Sequence, residues 1–130
     1  MSRAVCSPIS GEIEVISSGP GETIATMEVD PGEPVLAGHY PDFPIFPGIC
    51  LIEFAHRSAQ SAPPAEAGGI ELAAVDRARF LSPVYPGDRL EVSLSWALKD
   101  GDWRCSAKVS TDRSGKAAQL RLRYREVKAP

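Results

Sequence analysis

Residues 38–53 read GHYPDFPIFPGICLIE and carry three groups suited to chemistry: His39, Gly48 and Glu53. Prolines at 41, 44 and 47 remove backbone freedom around His39, so the loop has little entropy left to lose on ordering. A side chain held that way can meet a substrate at a fixed distance. Glu53 closes the apolar run Ile49-Cys50-Leu51-Ile52 and precedes Phe54 and Ala55. Turned inward, a carboxyl group there is disfavoured in its charged form, as a general acid needs. Gly48 falls at the expected start of a helix, where backbone N–H groups are free and the dipole is positive. Without a Cβ, a ligand carbonyl can approach closely, the geometry of an oxyanion hole. Each residue also has a plainer reading. His39 could bond loop carbonyls, and Pro47-Gly48 could be only a turn. Glu53, His56, Arg57 and Gln60 stand at i, i+3, i+4 and i+7, a polar stripe that could face water or a second chain.

The elements that must position these groups are legible around them. A helix is expected from about Gly48 to Ala62, stopped by Pro63-Pro64. Period-two alternation marks strands in LEVSLSWAL (90–98), DWRCSAKVS (102–110) and AQLRLRYRE (118–126). The joints KDGD (99–102) and TDRSG (111–115) are short, so these strands should form an antiparallel meander. IELAAVDRARF (70–80) adds a strand, and 12–17 with 22–29 form a hairpin across Ser18-Gly19-Pro20-Gly21. Four Pro-Gly pairs, at 20, 31, 47 and 86, mark turns, and SAPPAEAGG (61–69) reads as a loop. One helix with five or six antiparallel strands makes an α+β domain, a curved sheet wrapped around a central helix.

The chain has 130 residues, the size of one domain, so 1–130 is read as a single unit. With 43% hydrophobic and 24% charged residues it has the composition of a globular protein, and its net charge of −3 argues against nonspecific nucleic-acid binding. No apolar run approaches the ~20 residues of a membrane span. MSRAVCSPISGE lacks an apolar leader segment, so a cytoplasmic location is expected. Cys6, Cys50 and Cys105 are odd in number and far apart, which suits neither a disulfide framework nor a zinc site.

The stretch EPVLAGHYPDFPIFPGICLIE (33–53) resembles the signature of the FabA/FabZ family of (3R)-hydroxyacyl-[acyl-carrier-protein] dehydratases. The shared features are Glu-Pro, Gly-His-aromatic-Pro, Pro-Ile-x-Pro-Gly and an apolar run ending in an acid. RFLSPVYPGDRLEV (79–92) resembles a second segment of that family, and the likeness runs from about residue 30 to 110. It implies a hot-dog fold and dehydration of a 3-hydroxyacyl thioester to the trans-2-enoyl thioester, with no metal or organic cofactor. His39 would remove the C2 proton, Glu53 would protonate the leaving hydroxyl, and the Gly48 N–H would polarise the thioester carbonyl. Tyr40, Phe46, Pro47, Cys50 and Arg57 would surround the substrate. Histidine and acid would come from opposite subunits of a homodimer or a larger oligomer, a heterodimer being admissible. Glutamate at 53, rather than aspartate, favours a simple dehydratase.

The partner implied is an acyl carrier protein bearing the 3-hydroxyacyl chain. A net negative chain needs a local basic patch to dock an acidic carrier. Arg77 and Arg79 share one side of their strand and are assigned that role; the row Arg121, Arg123, Arg125 is read as a solvated strand face. Three departures from the family pattern stand out. The opening AVCSPISGEIEVISS replaces the usual N-terminal segment, Phe46 stands where methionine is commoner, and Arg57 replaces glutamine. The first leads us to expect a specialised pathway, such as type II polyketide or polyene assembly, rather than bulk fatty-acid synthesis. Alternatives are a noncatalytic partner subunit of a heterodimer and a hot-dog thioesterase.

Overall fold

The computed structural model describes residues 12–19, 21–29, 48–64, 67, 69–85, 87–113 and 115–127. These form β1 (Glu14–Gly19), β2 (Glu22–Glu28), α1 (Gly48–Ser61), β3 (Ile70–Phe80), β4 (Arg89–Lys99), β5 (Asp102–Thr111) and β6 (Gly115–Glu126). All six strands belong to one antiparallel sheet in the order β1-β2-β4-β5-β6-β3. Every strand expected from the alternation is present, and the helix ends one residue before the expected Ala62.

The alternation becomes a core through register. Leu94 of β4 faces Ala107 of β5, which faces Leu120 of β6; Trp96, Cys105 and Leu122 repeat the pattern one pleat on. Leu90, Val92, Leu94, Cys105, Ala107, Val109, Leu120, Leu122 and Tyr124 are all buried. The β4–β5 joint turns on Asp100 and Gly101, both at positive φ, the pairing that a two-residue hairpin with the right twist requires. Bulges in the β1–β2, β3–β6 and β5–β6 ladders bend the strands locally.

The helix buries Cys50, Leu51, Phe54, Ala55, Ser58 and Ala59, one face at the 3.6-residue period, against that sheet. Each large side chain so buried contributes about 1.5–3 kcal/mol before entropy is counted. Ser58 and Ser61 turn their hydroxyls back to the carbonyls of Phe54 and Arg57, and Pro63 and Pro64 prevent a further turn. No described helix is long and apolar enough to cross a membrane.

The segment RFLSPVYPGDRLEV carries the corner between β3 and β4. Asp88 is almost wholly buried. Its Oδ2 accepts the Tyr85 N–H at 2.9 Å, and its Oδ1 accepts from Arg113 Nε at 2.9 Å. The Arg113 guanidinium also lies over the Tyr85 ring. Gly87, at φ +88°, donates its N–H to the Val29 carbonyl, and Val29 N–H donates to the Asp88 carbonyl. The aspartate of Pro-Gly-Asp therefore ties three chain segments together.

Candidate functional site

His39, Tyr40, Phe46 and Pro47 lie outside the described residues. The remaining site residues fall on α1 and β3. Gly48 is the first residue of α1, so its N–H has no carbonyl one turn earlier in the helix to bond. A Cβ at position 48 would stand 2.8 Å from the Phe80 ring, so a larger residue there would have to displace the last side chain of β3. Among the described residues Gly48, Leu51, Phe80, Leu81, Ser82, Pro83 and Val84 line a cavity of about 420 Å³. It is largely apolar, with a helix N-terminus at one wall.

Glu53 is not part of that lining. Successive helical residues turn about 100°, so Leu51 and Glu53 point to opposite flanks of α1. Glu53 belongs to the stripe of Ile49, Ile52, Glu53, His56, Arg57 and Gln60 that is left half-buried or exposed, while Cys50 is fully buried toward the sheet. The single chain thus holds Gly48 beside one cavity and turns Glu53 away from it.

Arg57 Nε donates to Glu53 Oε2 at 3.0 Å, an i, i+4 pairing on the helical stripe. His56 was not singled out as a site residue, yet its Nδ1 lies 2.9 Å from the Tyr124 hydroxyl and the two rings stack at 5.7 Å. Tyr124 in turn meets Trp96 at 5.4 Å. Burial lowers the His56 pKa from its ordinary value, and the Glu53 charge opposes part of that shift. Burial also raises the Tyr124 hydroxyl, and pushes the Cys105 thiol up to about 12. Neither Cys105 nor Tyr124 is therefore an acid or base for chemistry near neutral pH. Sequence reading missed the His56–Tyr124 contact because 68 residues separate the partners; only the inward phase of Tyr124 in AQLRLRYRE pointed to it.

Arg77 and Arg79 are exposed on the outer face of β3, away from the helix. Arg77 faces Arg121 directly, and Arg79 faces Gln119. The row read as a solvated face divides: Arg123 reaches Asp76 and Asp102, and Arg125 reaches Glu71, whereas Arg121 sits with Arg77.

The described residues form an antiparallel six-stranded sheet closed over one helix, the hot-dog fold. Among the solved structures that share it are two of known context. The dehydratase heterocomplex ApeI:P from Xenorhabdus doucetiae matches with a TM-score of 0.73 at 21% identity, over 91% of this chain and 98% of that one. The E. coli PaaI protein of the phenylacetic acid degradation operon matches at 0.74 and 19% identity, over 90% and 80%. Residues 16–121 match the family model of ApeI-like proteins, described as ApeI dehydratase, and the chain belongs to that family. Among curated relatives, the 3-hydroxyacyl-[acyl-carrier-protein] dehydratase FabZ of Allorhizobium ampelinum is 36% identical over 98 residues, 70% of this chain and 64% of the relative. The dehydratase of the same name from Symbiobacterium thermophilum is 40% identical over 85 residues, 62% of this chain and 60% of the relative. The aligned stretch thus spans less than two thirds of either relative.

Proposed function

We propose that the protein dehydrates a 3-hydroxyacyl thioester, presented on an acyl carrier protein, to the trans-2-enoyl thioester. The observation that carries this reading is the division of α1. Its N-terminus at Gly48 opens on an apolar cavity, while its carboxyl group, Glu53, points to the other flank. Such a division suits a site completed by a second chain. Gly48 of one subunit would bind the thioester carbonyl and Glu53 of its partner would protonate the leaving hydroxyl.

The chemistry needs both parts. An α-proton is weakly acidic, so the developing enolate requires a hydrogen-bond donor at the carbonyl oxygen. Hydroxide leaves poorly without a proton. In this scheme His39 takes the C2 proton, the C2 electron pair forms the C2–C3 double bond, and the C3–O bond breaks with the Glu53 proton to release water. Among the described residues no strand pairs with the outer edge of β3, and that edge supports the dimer. Leu72, Val75 and Phe80 point to the helix side yet remain 36%, 41% and 51% exposed, and Ile49 and Leu81 extend that surface. A bare strand edge with apolar neighbours is costly in water, and pairing with a second copy covers both.

A second reading has its own observation. Arg57 occupies Glu53, as expected of a subunit that completes a dehydratase heterodimer without turning over substrate itself. The Xenorhabdus dehydratase is a heterocomplex. For the pathway, we favour type II polyketide or polyene assembly over fatty-acid synthesis, because the segment AVCSPISGEIEVISS departs from the FabZ-like pattern. A series of saturated and polyunsaturated substrates reads that preference.

The test is to incubate the purified chain with a 3-hydroxyacyl carrier and with a small 3-hydroxyacyl thioester. Loss of one water from the acyl chain supports the dehydratase reading. Loss of the acyl group would instead mean a thioesterase, and no reaction with either substrate would favour the noncatalytic subunit.

A further inference from the structure

The outer face of the sheet is electrically divided. Across β2, β4, β5, β6 and β3, one register row reads Glu22, Ser95, Ser106, Arg121, Arg77, and the next reads Ile24, Ser93, Lys108, Gln119, Arg79. Glu14, Glu28 and Glu91 add negative charge at the β1–β2–β4 end, where they outnumber, together with Glu22, the outward cations Arg89 and Lys99. At the other end Arg77, Arg79, Lys108 and Arg121 share a single hollow of about 150 Å³ with Ser106 and Gln119.

These four cations are exposed and form no ion pair among the described residues. Their neighbours are different: Arg104 and Arg123 converge on Asp76 at 3.5 and 3.4 Å, and Arg125 meets Glu71 at 3.7 Å. With strands ~4.8 Å apart and alternate residues ~6.7 Å apart, the four charges fall within about one Debye length of each other. Like charges directly opposite across a ladder, as Arg77 and Arg121 are, destabilise the pair. No ion pair among the described residues offsets that cost, and a negatively charged partner would.

We propose that Arg77, Arg79, Lys108 and Arg121 form one docking groove for an acidic protein surface. This rests on the reading above, in which that partner is the carrier. The acidic β1–β2–β4 half would repel such a partner and so fix where it sits. The groove also lies in the right place. Arg79 is followed by Phe80, whose ring packs on Gly48 from the inner face. Groove and cavity therefore occupy opposite faces of the same end of β3, and an acyl arm would pass round that end at Phe80–Pro83.

The informative variant is Lys108→Gln with Arg121→Gln, since neither residue touches the Gly48 cavity. Its KM for carrier-bound substrate should rise about tenfold at low salt, and by less at high salt. Turnover of a small thioester should stay within about twofold, because rim charges act on encounter. Arg125→Gln, already paired, should change neither. Equal effects on both substrates, or an unchanged carrier KM, overturn the groove. A shifted oligomeric state with carrier KM intact would assign this face to a second copy and also overturn it. If the wild-type chain turns over neither substrate, the proposed activity falls and binding of the acyl carrier protein alone judges the groove. Binding by wild type that is lost in the fourfold Gln variant supports it; no binding by wild type ends it.

Discussion

Glu53 and Arg57 pose the sharpest question at the scale of single residues. A carboxyl oxygen engaged by a guanidinium cannot at that moment give a proton to a leaving hydroxyl, so the pair must open during turnover. Its strength decides whether this matters. Both side chains are more than a quarter exposed, and an i, i+4 pair of that kind contributes about 0.3–0.5 kcal/mol. Opening it slows the reaction by a factor of about two at most. Arg57→Gln should therefore change kcat by no more than about twofold; a tenfold change would mean that Arg57 contacts the substrate. Glu53→Gln should abolish turnover with the fold intact, since the amide keeps the shape but has no carboxyl proton. His56 gives a separate, pH-dependent signature. Its pKa is lower folded than unfolded, so the unfolded chain binds the proton more readily. The stability His56 contributes is full above pH ~6.5 and is lost as pH falls through the lower, folded value. His56→Gln should flatten the denaturation midpoint against pH below ~6.5; an unchanged slope would place the acid sensitivity elsewhere.

Elements turn those residues into a site, and the β3–β4 corner shows how. Asp88 satisfies the Tyr85 N–H and the Arg113 guanidinium from a buried position. Asp88→Ala should cost about 1–3 kcal/mol, read as a lower denaturation midpoint, because it leaves the half-buried Tyr85 N–H without its acceptor and removes the Arg113 pair. A neutral result would mean that the corner is held by Gly87 and Val29 alone. Trp96→Phe should behave in the opposite way. The buried Trp96 Nε1 has no acceptor among the described residues, so removing it should cost less than about 1 kcal/mol. Much of this level was legible in the sequence. Alternation in 90–98, 102–110 and 118–126 gave the strands and their inward faces, because a half-buried sheet imposes a period of two. Gly48 and Pro63-Pro64 bounded the helix. The direction of Glu53 was not legible, since four apolar residues before it and two after it hide which helical flank the sheet covers. Nor was the pairing of Arg77 with Arg121, because register between sequence-distant strands depends on the whole topology, and two bulges in β3 shift it.

At the scale of the whole molecule, the proposed site needs two copies of the chain. Among the described residues no strand pairs with the outer edge of β3, whose Leu72, Val75 and Phe80 are exposed. The helix offers Gly48 on one flank and Glu53 on another, so no single chain gathers both at one cavity. Closure by a two-fold axis would bring the same surfaces together twice and make two sites at once. On this account a charge at the centre of the uncovered surface, Val75→Asp, should produce monomers in sedimentation and abolish turnover together; active monomers would refute the shared site. The most direct measurement mixes two chains, each inactive alone, His39→Ala and Glu53→Gln, under conditions that exchange subunits. Mixed dimers hold one intact site of two and make up half of a random mixture, so about a quarter of wild-type dehydration should return. If no activity returns although sedimentation shows that subunits have exchanged, histidine and glutamate do not serve one site across the interface.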